Sequence, residues 1–394
     1  MDESIVFVVC CLTLRCNILL TDGADYITTK LSEKGYRNEV HSVLTADRYI
    51  LNVHRIPCTG RFSKPVILVH GMFSTGAQYI ITGNGIPKSN SLAFRLADYG
   101  YDVWIVNARG TDFSLNHQTL SPDSPQYWKF SFHEIARYDL PAIIDHILLY
   151  TNHTFLHYVG HSQGTTVVMA MLSLLPEYNA KLKTLHLMSP AVYYDSASVL
   201  LKGISTLSTL LEDGTAVLRV DKLPSYVELR KIVAYLCSSI STTICKQMFN
   251  AFVGPSQYFD EAILRLPNSL DIIENVPAHA VSLGQLFHYA QLIRSAKFQH
   301  YDHKQEENLS IYNQSTPPVY KLSNVKTRIH FLYGTTDAVV NYQDVERLVK
   351  EFQPWTIRVD KIDNFNHLDF VAANKVNELV NTKILKLISR YRRN

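Results

Sequence analysis

The sequence has little net charge, few cysteines and no long apolar run. Its formal net charge is +3 over 394 residues, and its basic residues cluster only near the C-terminus, at Arg390, Arg392 and Arg393. Nucleic-acid binding is therefore not indicated. Hydrophobic residues make up 46% and charged residues 19% of the chain, which excludes the disordered and fibrous classes. Because no segment reaches eighteen consecutive apolar residues, a transmembrane span is not predicted.

The N-terminus carries an apolar segment that is too short to cross a bilayer. It runs from Ile5 to Leu14 and fits the core of a secretory signal peptide, which we place at residues 1–23. Asp2 and Glu3 stand where positive charge is usual, and Arg15 interrupts the apolar stretch. A short anchor and a misassigned start are therefore the alternatives.

Cysteines and glycosylation sequons agree with an oxidising compartment. Cys237 and Cys245 lie eight residues apart, which is compatible with a disulfide and leaves Cys58 as an odd, buried thiol. Acceptor sequons begin at Asn152, Asn308 and Asn313. Such triplets are common by chance, so their weight comes from agreement with the signal segment. Together these features predict a secreted glycoprotein.

Strand-like and helix-like segments alternate along most of the chain. Between residues 191 and 318 the strand signal vanishes, and helical periodicity dominates at 200–211, 227–253 and 281–298. We therefore predict an α/β fold with a mostly parallel, doubly wound sheet, formed by residues 24–190 and 319–394, with a helical cap inserted at 191–318. The predicted strands are Pro65–Val69, Tyr101–Val106, Thr154–Val159, Leu182–Met188, Arg328–Tyr333 and Trp355–Val359.

One helical stretch of the predicted cap carries an apolar stripe with a spacing of three or four residues. One interpretation is that the stripe packs on the core. The other is a movable lid, at about 224–253, whose apolar face meets lipid when it opens. The stripe consists of Leu229, Val233, Leu236, Ile240, Ile244, Met248 and Phe252.

The strongest chemical signal is the G-x-S-x-G element at residues 160–164. It follows a predicted strand and precedes a predicted helix, the context in which a sharp turn exposes the serine hydroxyl at the end of a sheet. A serine needs a base, and the base needs a carboxylate, so the chain order Ser162, Asp337, His367 predicts a catalytic triad. Asp337 as a plain helix cap, and His367 as one of sixteen histidines placed there by chance, are the alternatives.

Acyl transfer also requires two N–H groups directed at the developing oxyanion. One is expected from the backbone of Gln163, directly after Ser162. The second is expected from Met72, because His70-Gly71-Met72 follows the predicted strand that ends at Val69. A simple tight turn at His70-Gly71 is the alternative.

Further motifs along the chain are Lys34-Gly-Tyr36, Tyr49-Ile-Leu, His54-Arg-Ile-Pro57, Leu68-Val-His-Gly71, Asn107-Ala-Arg-Gly110, Phe130-Ser-Phe-His-Glu134, Tyr138-Asp-Leu-Pro-Ala142, Gly160-His-Ser-Gln-Gly164, Lys297-Phe-Gln, Tyr301-Asp302 and Asn366-His-Leu-Asp-Phe370. In this order they resemble the acid lipase family of gastric and lysosomal lipases and their insect relatives, over residues 26–390. The resemblance implies an α/β-hydrolase core, a helical cap with a lid, no cofactor and no metal. It further implies hydrolysis of triacylglycerols, sterol esters or related lipid esters at an oil–water or membrane interface, by a secreted or lysosomal enzyme.

The family pattern assigns the same triad and oxyanion residues, and it pairs Cys237 with Cys245, although the spacing here is one residue shorter. This sequence departs from the pattern at Asp47-Arg48-Tyr49, where a glycine usually precedes the tyrosine, and at Thr111, where asparagine is usual. These departures put substrate preference in doubt more than activity. A carboxylesterase for smaller soluble esters, an acyltransferase, a peptidase and a lipid-binding relative without catalysis are the alternative functions.

Overall fold

The central element of the fold is a mostly parallel sheet. The computed structural model describes residues 25–58, 64–81, 88–218, 247, 250–258 and 281–391. In this part of the chain the strands lie in the order β1-β2-β4-β3-β6-β7-β8-β9, and β5 pairs with β2. Strand β2 is antiparallel to its neighbours β1, β4 and β5, whereas all pairs from β4 to β9 are parallel. The strands are β1 Glu39–Leu44, β2 Tyr49–Ile56, β3 Pro65–Val69, β4 Asp102–Val106, β5 Asn116–His117, β6 Leu156–His161, β7 Leu182–Met188, β8 Arg328–Gly334 and β9 Thr356–Ile362.

Helices connect these strands, and five of them begin at a residue whose side chain caps the first turn. The α-helices are α1 Tyr26–Glu33, α2 Leu92–Asp98, α3 Phe132–Glu134, α4 Leu140–Thr151, α5 Gln163–Leu174, α6 Val199–Leu218, α7 Leu283–Ser295, α8 Gln305–Tyr312, α9 Tyr342–Glu351, α10 Asp369–Ala372 and α11 Thr382–Arg390. A π-helical turn, Ile135–Asp139, joins α3 to α4. Ser131 and Glu134 form a capping box at the start of α3, which satisfies N–H groups that a helix leaves unpaired at its first turn.

Two apolar cores lie on opposite faces of the sheet. Alternate residues of one strand point to opposite faces, so Ile67 packs in one core and Leu68 in the other. Helices α4 and α5 cover the first face, whereas α1, α2 and α11 cover the second. Because both faces are covered, the parallel strands β3, β4, β6, β7 and β8 are almost entirely buried, and this burial explains their continuous apolar runs. The edge strand β9 is buried at only two of its seven residues.

The predicted fold class is confirmed, and the six predicted strands correspond to β3, β4, β6, β7, β8 and β9. Strands β1 and β2 were not predicted. In β2 buried and partly exposed residues mostly alternate, and in β1 only Val43 is buried, so neither strand has the continuous apolar run that marks a central strand. No helix in the described residues is long and apolar enough to cross a membrane.

The predicted cap contains α6, α7 and α8 among its described residues, and α6 and α7 pack against each other. The division at residues 190 and 319 stays a prediction. Most of the predicted lid, 224–253, lies outside the described residues, as do the signal segment and most of the apolar stripe.

Candidate active site

The residues of the predicted triad meet at one edge of the sheet. Ser162 directly follows β6, Asp337 follows β8, and His367 follows β9. Strands β6 to β9 are adjacent and parallel, so the loops after them emerge on the same side. This edge, outside the carboxyl ends of parallel strands, is where α/β proteins carry their sites.

A strained turn presents Ser162 between β6 and α5. Its backbone has φ 52° and ψ −119°, outside the ordinary regions for a residue with a side chain. Two glycines permit the turn. A Cβ on Gly160 would lie 2.7 Å from the carbonyl oxygen of Gly164, and a Cβ on Gly164 would lie 2.3 Å from that of Val69. Only glycine therefore fits at these two positions without a shift of the backbone.

The three triad side chains form a hydrogen-bonded relay. Ser162 Oγ lies 2.9 Å from His367 Nε2, and His367 Nδ1 lies 3.0 Å from Asp337 Oδ2. A carboxylate can only accept, so Nδ1 carries the proton and Nε2 is free to accept the serine proton. This is the geometry in which an imidazole can activate a hydroxyl.

Asp337 is held by donors on both of its oxygens. Its Oδ1 accepts from the backbone N–H groups of Val339 and Val340, each at 2.9 Å. Its Oδ2 accepts from the hydroxyl of Ser189 at 2.6 Å. Ser189 Oγ also lies 3.0 Å from His367 Nδ1. Sequence reasoning missed Ser189, although its place directly after β7 was an available signal.

The loop that carries His367 is fixed by its neighbours in the chain. Asn366 Oδ1 accepts from the backbone N–H of Asp369 at 3.0 Å, and its Nδ2 donates to the carbonyl of Gly254 at 2.9 Å. The His367 N–H donates to the carbonyl of Val253 at 3.1 Å. The described residues 250–258 thus pack directly on the loop that carries His367, a contact that local sequence did not indicate.

A second histidine lies behind the first. His161 Nε2 donates to the carbonyl oxygen of His367 at 2.9 Å, and the two rings have centroids 5.0 Å apart. Burial, together with the adjacent His367, lowers the pKa of His161 to about 3. In the same region, burial raises the pKa of Asp369 to about 6. His161 therefore stays neutral beside the relay, and Asp369 loses its charge in mildly acidic solution.

The predicted oxyanion residues line a small cavity next to Ser162. Met72 and Gln163 both contribute to its wall, together with Thr111. The Nε2 of Gln163 donates to Gln285 Oε1 of α7 at 2.8 Å. Gln285 also lines the cavity. The loop after β3 and the start of α5 are brought together because β3 and β6 are neighbours in the sheet.

The other predicted sites have mixed outcomes. Asn152 and Asn313 are exposed, but Asn308 is 1% exposed, and its Nδ2 donates to Asp302 and to the carbonyl of Ser315. The acceptor nitrogen of Asn308 is thus buried and both of its hydrogens are used, which argues against a glycan there, whereas glycosylation at the three asparagines stays a prediction.

Among the cysteines, Cys237 and Cys245 lie outside the described residues. Cys58 was expected to be buried, but it is half-buried, and its thiol donates to the carbonyl of Gly100 at 3.1 Å. In the part of the chain that the structure describes, no cluster of histidine, cysteine or acidic side chains is arranged to hold a metal ion.

The fold and the serine–histidine–aspartate relay together define an α/β-hydrolase of the serine type. A family model described as "alpha/beta hydrolase fold" matches residues 64–209, and one described as "Partial alpha/beta-hydrolase lipase region" matches residues 27–83. Among solved structures, a carboxyl esterase from Bacillus coagulans has a TM-score of 0.57 at 14% identity, covering 90% of this chain and 99% of its own. That similarity concerns the fold alone.

Curated relatives are similar over almost the whole chain. Lipase 1 of Drosophila melanogaster is 34% identical, covering 91% of this chain and 79% of its own. Gastric triacylglycerol lipase of Bos taurus is 34% identical over 92% of this chain and 91% of its own, and human lipase member K is 33% identical over 93% and 92%. The chain belongs to the acid lipase family of gastric and lysosomal lipases, as its motifs predicted.

Proposed function

We propose that this protein is a lipase that hydrolyses the carboxylic ester bonds of triacylglycerols, sterol esters or both, with Ser162, His367 and Asp337 as its triad. The observation that carries the proposal is the relay in which Ser162 Oγ lies 2.9 Å from His367 Nε2. The lipid substrate is supported by the family, since gastric triacylglycerol lipases of several mammals are 33–34% identical to this chain.

In the proposed mechanism, His367 Nε2 takes the proton of Ser162 as Oγ attacks the ester carbonyl. The backbone N–H groups of Met72 and Gln163 stabilise the oxyanion of the tetrahedral intermediate. His367 then donates the proton to the leaving alcohol, which leaves an acyl-enzyme on Ser162. Water, activated through the same imidazole, releases the fatty acid. Asp337 keeps the His367 ring oriented and stabilises the imidazolium.

We further propose that residues 191–318 form a cap through which the enzyme meets an oil–water or membrane interface. Support comes from α6, where large apolar side chains are exposed, including Val199 at 89% and Leu210 at 71%. Exposed apolar residues on one element are typical of contact with lipid or with another protein. The lid at about 224–253 is part of this proposal.

We also propose that the enzyme is secreted or lysosomal, with a cleaved signal peptide, a Cys237–Cys245 disulfide, and glycans at Asn152 and Asn313. Both asparagines are exposed. Mass spectrometry of the protein secreted by insect cells tests this directly. We expect an N-terminus near residue 24, glycopeptides at both asparagines, and an unmodified Asn308.

The decisive experiment compares emulsified triolein with dissolved p-nitrophenyl butyrate, for wild type and Ser162→Ala. We expect fatty acid release from triolein, and a loss of at least about 10³-fold in Ser162→Ala, while its circular dichroism matches wild type. A matched control is Ser91→Ala, which removes a buried hydroxyl bonded to the carbonyl of Tyr79 far along the sequence from the relay.

Other outcomes select the alternatives. Activity on the soluble ester alone would identify a carboxylesterase. No activity on any ester by a folded protein would leave the lipid-binding function, which is then measured as partition onto triolein droplets. Cleavage of an amide analogue at a comparable rate would identify a peptidase.

A further inference from the structure

The contacts behind the triad point to a fourth residue of the relay. Ser189 is completely buried, and its hydroxyl lies between two triad members, at 2.6 Å from Asp337 Oδ2 and 3.0 Å from His367 Nδ1. The carboxylate can only accept, so Ser189 donates its proton to Asp337. Its lone pair is then free to accept a share of the His367 Nδ1–H.

The backbone supports this placement at some conformational cost. Ser189 has φ 51°, in the left-handed region that residues with side chains rarely adopt. Its N–H donates to the carbonyl of Leu332 on β8 at 2.8 Å, which anchors it to the strand that leads to Asp337. A strained residue held this way at a reaction centre is typical of a functional constraint.

We propose that Ser189 is a positioning residue that sets the acid limit of the enzyme. Its hydroxyl withdraws negative charge from Asp337, which weakens the attraction of that carboxylate for a protonated His367. The histidine therefore remains neutral, and able to act as a base, at lower pH than in the same relay without the hydroxyl. This inference rests on the proposed function, in which His367 is the general base.

The charged groups around His367 determine how strongly the Ser189 hydroxyl affects its protonation. Among the described residues, the titratable groups that face it or face its contacts are Asp337 after β8, His161 at the end of β6, His70 after β3, Tyr194 after β7, and Asp369 at the start of α10. The pKa of Asp369 is raised to about 6, and that of His161 is lowered to about 3. Between these pH values both are largely neutral, and Asp337 is the carboxylate in contact with the imidazole.

The hydroxyl does not act on substrate. Ser189 lies on the Nδ1 side of the imidazole, whereas Ser162 is on the Nε2 side. Removing the hydroxyl should thus change the protonation and orientation of His367 without changing the binding of the ester. A residue with a merely structural role would lower stability but leave the pH profile in place.

The test measures kcat/KM for p-nitrophenyl butyrate from pH 3.5 to 8 in Ser189→Ala and Ser189→Gly. We expect the acid limb of both profiles to move to higher pH by about one pH unit, with KM changed less than about twofold. The glycine variant removes the backbone strain at positive φ as well as the hydroxyl. Equal shifts in the two variants assign the effect to the hydroxyl rather than to the backbone.

Ser91→Ala, a buried hydroxyl outside the relay, should retain the wild-type acid limb. An unchanged acid limb in folded Ser189→Ala and Ser189→Gly, or a shift to lower pH, overturns the proposal for Ser189. Neither result bears on the proposed triad, which is tested separately by the loss of activity in Ser162→Ala.

Discussion

Gln163 Nε2 donates a hydrogen bond of 2.8 Å to Gln285 Oε1, which joins the residue after the serine to helix α7. Because the backbone N–H of Gln163 is a proposed oxyanion donor, a fixed side chain restricts the motion of that amide. Preorganised donors contribute most when they need no reorientation during the reaction. The position of α7 is therefore coupled to the chemistry at the turn that carries Ser162.

We expect Gln285→Ala to lower kcat roughly three- to tenfold with little change in KM. The control is Gln291→Ala on the same helix, because Gln291 is a similarly buried glutamine. Its side chain donates to Glu212 and to the carbonyl of Asp302, and not to Gln163. Steady-state kinetics on p-nitrophenyl butyrate compares kcat and KM of the two variants. Equal losses in both variants would mean that the helix acts only through general stability.

Gly164→Ala tests the close approach of β3 to the turn that carries Ser162. Its new Cβ would lie 2.3 Å from the carbonyl oxygen of Val69, so either backbone must move. We expect a loss of several kcal/mol in the free energy of unfolding, on the order of the larger point-mutant effects. Gly203→Ala, in exposed helix α6 with nothing within 4 Å of its new Cβ, should instead stabilise by about 0.5–1 kcal/mol. Urea denaturation measures both, and a tolerated Gly164→Ala would contradict so close an approach of the two backbones.

A buried ion-pair network stabilises the loop after β4. Arg109 is 2% exposed, and it donates to Asp139 at 2.8 Å and to Asp47 at 2.6 Å. Arg109→Met leaves these carboxylates without their cation, so we expect a loss of about 3–5 kcal/mol at pH 7. Arg347→Met breaks an exposed pair with Asp195 and should cost less than about 1 kcal/mol.

The loss in Arg109→Met should be smaller at pH 5 than at pH 7. Burial raises the pKa of Asp139, and Arg109 opposes that effect. Without the guanidinium the pKa of Asp139 rises further, so acidification neutralises the uncompensated charge. Urea denaturation of Arg109→Met at both pH values measures this difference. A loss of equal size at the two pH values would argue against the charge as its cause.

Buried neutral histidines should make the fold less stable in acid. Burial lowers the pKa of His157 and of His300 to about 3, as it does for His161. A pKa below the unfolded value of about 6.5 means that this stability is fully present above pH 6.5 and is lost as pH falls toward 3. The loss is about 1.4 kcal/mol per pH unit for each group that stays neutral. Asp369 opposes it, because its raised pKa of about 6 makes acidification favourable down to its unfolded value.

Urea denaturation at pH 7 and pH 5 measures the balance, and we expect a lower free energy of unfolding at pH 5. His157→Gln should reduce the dependence on pH, because it removes one titrating group while keeping a side chain that can hydrogen-bond to Thr184, the present partner of His157 Nδ1 at 2.7 Å. Equal stability of the wild type at both pH values would contradict the prediction.

The sequence by itself determined the fold class, the six parallel strands and the chain order of the proposed triad. The glycines around Ser162 and the apolar run before it are local signals, because a sharp turn and a buried strand each constrain their own residues directly. Asp337 and His367 could be placed because each follows a strand, and the ends of adjacent parallel strands meet at one edge.

Only the tertiary structure decided the position of Ser189 against the relay, the link from Gln163 to Gln285, and the burial of Asn308. The first two depend on contacts between segments far apart in sequence, as in the separation of 148 positions from Ser189 to Asp337. Strands β1 and β2 were not predicted for a related reason. Strands that are only partly buried depend on pairing with a neighbouring strand, and that pairing cannot be read from their own residues. A hydrogen bond between distant segments produces no periodic pattern in the sequence of either segment. It depends on the relative position of the two segments, which is set only when the chain folds.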